Sequence, residues 1–396
     1  MIHSIRIQNF KSLRDVTLRL QDVNLLIGPN NSGKSNVLKA LAFLGRYLNG
    51  HYPDNEELKR LSFQHKIEED GFPLQFTISY QSKKEFHYYD FKIYYDDSDK
   101  NEGKYEEIFG ANSLEVPLNQ IDVIDKFKHY VTFKSEGFGV HRNHIIPNNT
   151  RDIKNGEAFK KSAFPREKLN NLKNIRLYNI KLSAFTGKTN GEINQIKSDA
   201  SNLMSYLDYL NNNHPHKLDK IAEELNRCIS DFKLVRTPII DPDKKDGIRQ
   251  VKLFDKNGIG FWADEVSEGT LYFLALLCII FQPNPPSILM LEEPEKGIHP
   301  RRLHEVMEYI FELAEEQGVQ IILTSHSSEV VHKFKDLEEH IFIVDKPDNE
   351  TVIKNLQADI IDDLDQKSET NNSPKINYRK ALGEYWKMGL FGGVPA

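Results

Sequence analysis

The sequence predicts an α/β fold, and three observations predict it. A short apolar run, Val23–Ile27, leads into a glycine-bounded loop and then a helix-like stretch over residues 36–44. Two later runs, residues 287–291 and 319–323, are apolar enough for central strands, and each ends in polar residues. Residues 271–281 and 301–316, which lie before and between those runs, carry helical patterning. Strands and helices therefore alternate, and polar groups gather at strand ends, where open sheets meet their ligands.

The loop is the most specific stretch. Gly28-Pro29-Asn30-Asn31-Ser32-Gly33-Lys34-Ser35 has the spacing G-x-x-x-x-G-K-[ST]. Gly28 and Gly33 permit a tight turn, so the N–H groups of Asn30, Asn31, Ser32 and Gly33 can face phosphate oxygens. A helix opening at Lys34 adds its positive dipole end. Lys34 reaches β- and γ-phosphates, and the Ser35 hydroxyl takes one Mg²⁺ position. A glycine turn that binds nothing is the plain alternative; the strand before and the helix after weigh against it.

Composition narrows the class. At 396 residues the chain exceeds one average domain. Hydrophobic residues at 39% and charged residues at 28% are ordinary for a globular protein. A net charge of −6 advertises neither nucleic-acid nor anionic-membrane binding. Cys228 and Cys278 lie far apart, which excludes a disulfide scaffold or a cysteine zinc site and suits a reducing cytosol. Residues 271–281, the longest strongly apolar run, are too few to span a bilayer, and the first residues lack a signal-peptide core. The expectation is a soluble cytoplasmic protein without membrane contact.

Along the chain, residues 2–7 and 16–20 alternate as two strands before the loop strand, and the helix after Ser35 runs to about Leu48. Residues 57–95 read as an antiparallel lobe, with strands over 73–80 and 85–95. Its aromatics, including Tyr88, Tyr89 and Phe91, fit packed strand faces better than base stacking. Residues 151–188 hold 10 Lys/Arg against 3 acids, so a local +7 stands in an acidic chain. A solvated face explains that run, and so does a nucleic-acid or partner contact. Residues 193–232 read as two helices broken near Pro215, 232–235 and 248–254 as strands, and 341–344 as a strand. Residues 366–375 read as a polar mobile loop, and 380–396, with Tyr385, Trp386, Leu390 and Phe391, as a segment that docks.

The two polar strand ends carry the chemistry. Residues 287–293 finish in Glu292 and Glu293. A phosphate loop needs an acid opposite it to hold Mg²⁺, which assigns Glu292 to the metal and leaves Glu293 as the base for the attacking water. Residues 319–326 finish in His326, a hydrogen-bond donor for the γ-phosphate. Read alone, the acids are equally well two exposed side chains, and the histidine is more readily structural. Val266-Ser267-Glu268-Gly269-Thr270 opens the apolar helix, as a second anion-binding device or as an ordinary serine cap. One chain needs one phosphate cradle, so a second suggests service to another copy.

With these residues in hand, the chain resembles ABC-type ATPases of the SMC, RecF and OLD group in a compact form without a coiled coil. Gly28 to Ser35 matches Walker A, residues 289–293 Walker B, 295–300 the E-x-G-x-H-P form of the D-loop, and His326 the switch histidine. Val266 to Thr270 corresponds to the signature motif, and residues 5–13 to the family's first hairpin. The resemblance covers about 1–95 and 260–345. It departs at Glu292, where many relatives carry Asp, and at Glu268, which replaces a Gly; Gln64 is the best match to the glutamine loop.

The resemblance implies a P-loop ABC-type ATPase head with a mixed and antiparallel β region and a helical lid. Lobes over 1–95 and 261–345 flank an insertion at 96–260, with an extension at 346–396. It also implies ATP and Mg²⁺ as ligands and head-to-tail dimers in which Ser267 and Gly269 touch the partner's ATP. Too little chain follows His326 for the TOPRIM nuclease often fused in OLD proteins, which points to an effector in a separate polypeptide and, by analogy, to bacterial anti-phage defence. The alternative is a RecF-like repair ATPase that binds DNA. A transporter subunit fits less well, because residues 35–267 are too long a span. A scaffold that scarcely hydrolyses ATP fits less well because of Glu293.

Overall fold

The computed structural model describes residues 1–63, 73–82, 85–94, 104–112, 129–135, 141–144, 169–181, 194–229, 231–241, 248–371 and 377–394. The chain divides into two compact units, residues 1–175 with 336–396, and residues 176–335.

In the first unit, strands Ile2–Phe10 and Leu13–Arg19 form the hairpin expected from their alternation. Arg6 and Asp15 bridge across it at 2.7 Å. The hairpin begins a seven-stranded antiparallel sheet that continues through Leu74–Ser82, Glu85–Tyr94, Lys104–Asn112, His129–Ser135 and His141–His144. Phe10, Phe76 and Phe91 on this sheet pack with Phe43 and Tyr47 of helix Lys34–Leu48, the Tyr47 and Phe91 rings stacking at 4.5 Å. Tyr88, Tyr89 and Phe91 are all buried, so these aromatics are core and not a stacking platform.

The fully buried strand Val23–Ile27 pairs in parallel with Ile341–Asp345, which turns back antiparallel into Val352–Asn355. Beyond it, residues 356–361 form a π-helical turn that runs into helix Asp362–Thr370. The loop expected over 366–375 is thus helical to Thr370. Three aspartates in its first turn complement the dipole, and Lys367 reaches Asp363 one turn back, a pattern that polar composition hid. The final segment does dock: Trp386 and Phe391 are buried, whereas Leu390 stays exposed.

In the second unit, strands Ile288–Glu292 and Gln320–Ser325 pair in parallel. Helices Leu203–Asn213 and Pro215–Cys228 occupy the stretch expected to form a lid, the latter burying Leu218, Ile221, Ala222 and Leu225. Helix was expected from residue 193, yet 194–202 form turns. Asn202 explains this, because its side chain accepts from the Lys197 N–H and donates to the Gln195 carbonyl. Such bonds offer the backbone an alternative to helix. The strand expected over 248–254 is two, Ile248–Arg249 and Lys252–Phe254, each with its own partner strand. The helix expected from residue 301 begins at Leu303 after a 3₁₀ turn. Gln64 and most of the basic run 151–188 lie outside the described residues.

Candidate active site

In the first unit the phosphate loop joins the carboxyl end of strand Val23–Ile27 to helix Lys34–Leu48. A side chain at residue 28 would collide with the Val344 carbonyl, and one at 33 with Thr351. Gly33 also has φ +111°, a left-handed setting that favours glycine. The loop tip, Asn30 and Asn31, is exposed, and Ser35 is half-buried at the helix start. Lys34 is buried and donates to the carbonyls of Gly28 and Pro29 at 2.9 and 2.8 Å, so its ammonium lies across the loop.

Ser32 is 1% exposed, and its Oγ has no hydrogen-bond partner among the described residues. A buried hydroxyl left unpaired is costly, and a phosphate oxygen would satisfy it. The residues present therefore fit a nucleotide phosphate. No group of three or more His, Cys, Asp or Glu side chains able to hold a metal occurs among the described residues. A Mg²⁺ held by the Ser35 hydroxyl would need phosphate oxygens to complete its shell.

The second unit holds the acids. Residues Ile288 to Leu291 are buried and Glu292 emerges half-buried at the strand end. Asn179 donates to Glu292 Oε2 at 2.6 Å and so fixes that carboxylate. Glu293 has φ +49°, unusual for a residue with a side chain. Its N–H is shared between the Thr324 carbonyl at 3.1 Å and hydroxyl at 3.2 Å, and Tyr272 donates to its carbonyl. This held backbone turns the Glu293 carboxylate to His326, with Oε1 to Nε2 at 3.1 Å.

Glu295 sits below them. Its Oε1 accepts from Ser325 Oγ at 2.6 Å and from the His326 N–H at 3.1 Å. Burial pushes its carboxyl pKa up, and Oε2 has no partner among the described residues. The signature-like stretch caps helix Glu268–Ile280, with Ser267 Oγ accepting from the Thr270 N–H. Ser267, Gly269, Thr270, Gly297, His299 and Arg302 line a cavity of about 380 Å³.

Within the second unit, then, the structure brings Glu293 and His326 together, sets Glu292 on the adjoining residue, and groups Ser267 with Gly269. Sequence reasoning missed Asn179, Glu295 and Tyr272. Asn179 and Tyr272 carry no motif signal; Glu295 was visible as part of the D-loop but not as a support for His326.

Comparison with known proteins gives three kinds of similarity. Among curated proteins, the energy-coupling factor transporter ATP-binding protein EcfA2 of Bacillus thuringiensis (strain Al Hakam) is 31% identical over 72 residues, 18% of this chain. The chain spans about a quarter of that relative's length, 24%. The lipoprotein-releasing system ATP-binding protein LolD of Rickettsia bellii (strain RML369-C) is 23% identical over 163 residues, 38% of this chain and 67% of that protein. Among solved structures, an SmcHead bound to the C-winged helix domain of ScpA aligns over 90% of this chain and 98% of its own, with 13% identity and a TM-score of 0.47. The SMC head domain from Thermotoga maritima aligns over 89% and 98%, also with 13% identity, and a TM-score of 0.37. A family model described as "AAA domain, putative AbiEii toxin, Type IV TA system" matches residues 23–332, from the strand before the phosphate loop to the helix after His326. That match takes in well over half of the sequence, and the chain belongs to this AAA-domain family.

Proposed function

We propose that the protein binds and hydrolyses ATP as a nucleotide-dependent switch. The Glu293–His326 pair at 3.1 Å carries this reading, because it joins a candidate base to a hydrogen-bond donor at the end of a buried strand. Lys34, the N–H groups of Asn30, Asn31 and Gly33, and the Ser32 hydroxyl, unpaired among the described residues, would hold the phosphates, the Ser32 N–H itself donating to the Pro29 carbonyl at 3.3 Å. Ser35 and Glu292, the latter fixed by Asn179, would each give an oxygen to Mg²⁺. When bound, the metal neutralises charge developing on the phosphoryl group. Glu293 would take the proton of the attacking water, and His326 would hydrogen-bond the γ-phosphate. The cavity beside Ser267 and Gly269 receives the ATP of a second copy in a head-to-tail dimer or larger oligomer, with Arg302 adding positive charge.

The closed assembly controls a separate effector, such as a nuclease, in bacterial anti-phage defence in the cytoplasm. The family description, which names a toxin of a TA system, supports a partner polypeptide. No helix among the described residues is long and apolar enough to cross a membrane. The test is light scattering and ATP turnover on wild type and Glu293→Gln, each alone and with the product of the neighbouring gene. ATP should drive Glu293→Gln into a stable assembly that retains the neighbour. If both proteins ignore ATP and the neighbour yet bind DNA alone, the repair-type reading suggested by the basic run 151–188 replaces this one.

A further inference from the structure

A buried chain of hydrogen bonds runs behind the phosphate loop, and it starts and ends on the loop's own flanks. Asn36 Nδ2, in the first turn of helix Lys34–Leu48, donates to Ser12 Oγ at 2.8 Å. Ser12 Oγ lies 2.7 Å from Thr351 Oγ1, and Thr351 Oγ1 donates to the Ser32 carbonyl at 2.9 Å. The Thr351 hydroxyl has one proton, and the carbonyl claims it, so Ser12 must be the donor to Thr351. Every proton is thereby assigned, and the chain points one way, from Asn36 through Ser12 and Thr351 onto Ser32. The Thr351 N–H also donates to the Ser12 carbonyl at 2.8 Å. Outside, Arg14 pairs with Glu350 at 3.0 Å and pins the turn that carries Thr351.

The Ser32 carbonyl belongs to the peptide that supplies the Gly33 N–H. In a planar trans peptide these two groups point in opposite directions. Drawing the carbonyl outward onto Thr351 therefore turns the Gly33 N–H inward. The Thr351 side chain also occupies the place where a side chain at residue 33 would stand, so this peptide cannot rotate away without displacing it.

We propose that Thr351 is a positioning residue for nucleotide binding: through the Ser32 carbonyl it aims the Gly33 N–H at a phosphate oxygen, with Ser12 and Asn36 fixing its hydroxyl. This rests on the ATP-binding reading above. Thr351 lies 317 residues beyond Lys34 in the sequence, outside the stretch matched by the family model, and no motif contains it.

The test uses the full chain with Mg-ATP and a fluorescent ATP analogue, comparing wild type, Thr351→Val, Thr351→Ser, Ser12→Ala and Lys34→Ala. Thr351→Val keeps the shape but not the hydroxyl. It should raise the nucleotide Kd and the KM for ATP about tenfold, while turnover at saturating ATP falls less than about twofold. Thr351→Ser restores the hydroxyl and should restore affinity, which a purely structural role would not require. Ser12→Ala, which breaks the chain at its middle, should weaken binding by a smaller factor and serves if Thr351→Val does not fold. Wild-type affinity in both Thr351→Val and Ser12→Ala overturns the positioning role while leaving ATP binding intact. A wild type that binds no better than Lys34→Ala overturns both readings.

Discussion

His326 Nε2 lies 3.1 Å from Glu293 Oε1, and the two residues come from adjacent parallel strands whose ends are held in register by Glu292 opposite Thr324. The pairing depends on the left-handed backbone of Glu293, which is kept in place by Thr324 and Tyr272. Removing the carboxylate charge without changing its shape tests the base. Glu293→Gln should lower phosphate release at least about 100-fold and leave the nucleotide Kd within about twofold, as expected for a general base. Unchanged turnover would remove Glu293 from the reaction.

Asn179 donates to Glu292 from a strand end that no motif marks. Partners of metal-holding groups commonly matter about 10- to 100-fold in metal affinity. Asn179→Ala should therefore raise the Mg²⁺ concentration for half-maximal turnover about tenfold, with rates recovering at high Mg²⁺. A magnesium titration superimposable on wild type would show that Glu292 needs no such support.

Glu295 gives a pH dependence whose sign is fixed by burial. Burial raises its pKa above the ordinary 4.5, so the folded chain keeps this proton longer than the unfolded chain does. Its contribution to stability is fully present below 4.5 and is lost as pH rises through the raised value. Glu295→Gln does not titrate and can still accept from Ser325 and His326. Thermal melting of the two proteins should converge at acid pH and diverge in favour of Glu295→Gln as pH rises. The opposite slope would mean that the carboxylate is stabilised in the fold.

Two glycines separate backbone strain from crowding. Gly33 and Gly50 have φ of +111° and +88°, but only at Gly33 would a side chain collide with a neighbour. Gly50→Ala should cost about 1 kcal/mol, the usual left-handed penalty. Gly33→Ala should cost about 2 kcal/mol more in urea unfolding, because Thr351 must move and break its bond to Ser32. Equal costs would show that the loop absorbs the methyl group freely.

The parts of the fold legible in the sequence were those where burial and periodicity agree. Strand Val23–Ile27, helix Lys34–Leu48 and the strands ending in Glu292 and Ser325 all pack apolar faces, and their pattern alone locates them. The misreadings have local causes. Residues 194–202 have helical composition, but Asn202 diverts their backbone bonds. Helix Asp362–Thr370 has no buried residue, so no periodicity advertised it. At the site, Lys34, Glu293 and His326 could be read because their chemistry demands fixed spacing. Asn179, Tyr272 and Thr351 could not, because a side chain that supports another from a distant strand leaves no spacing to detect.

The placement of Val344 and Thr351 behind the phosphate loop bears on how the protein is made. Strand Val23–Ile27 finds its partner Ile341–Asp345 more than 300 residues later, and the loop's rear wall comes from the same late segment. A ribosome that has delivered the loop, its helix and the whole second unit has still not delivered what shapes the cradle. The rear wall of the cradle therefore closes late, through contacts of very high sequence separation, which are the slow ones to form.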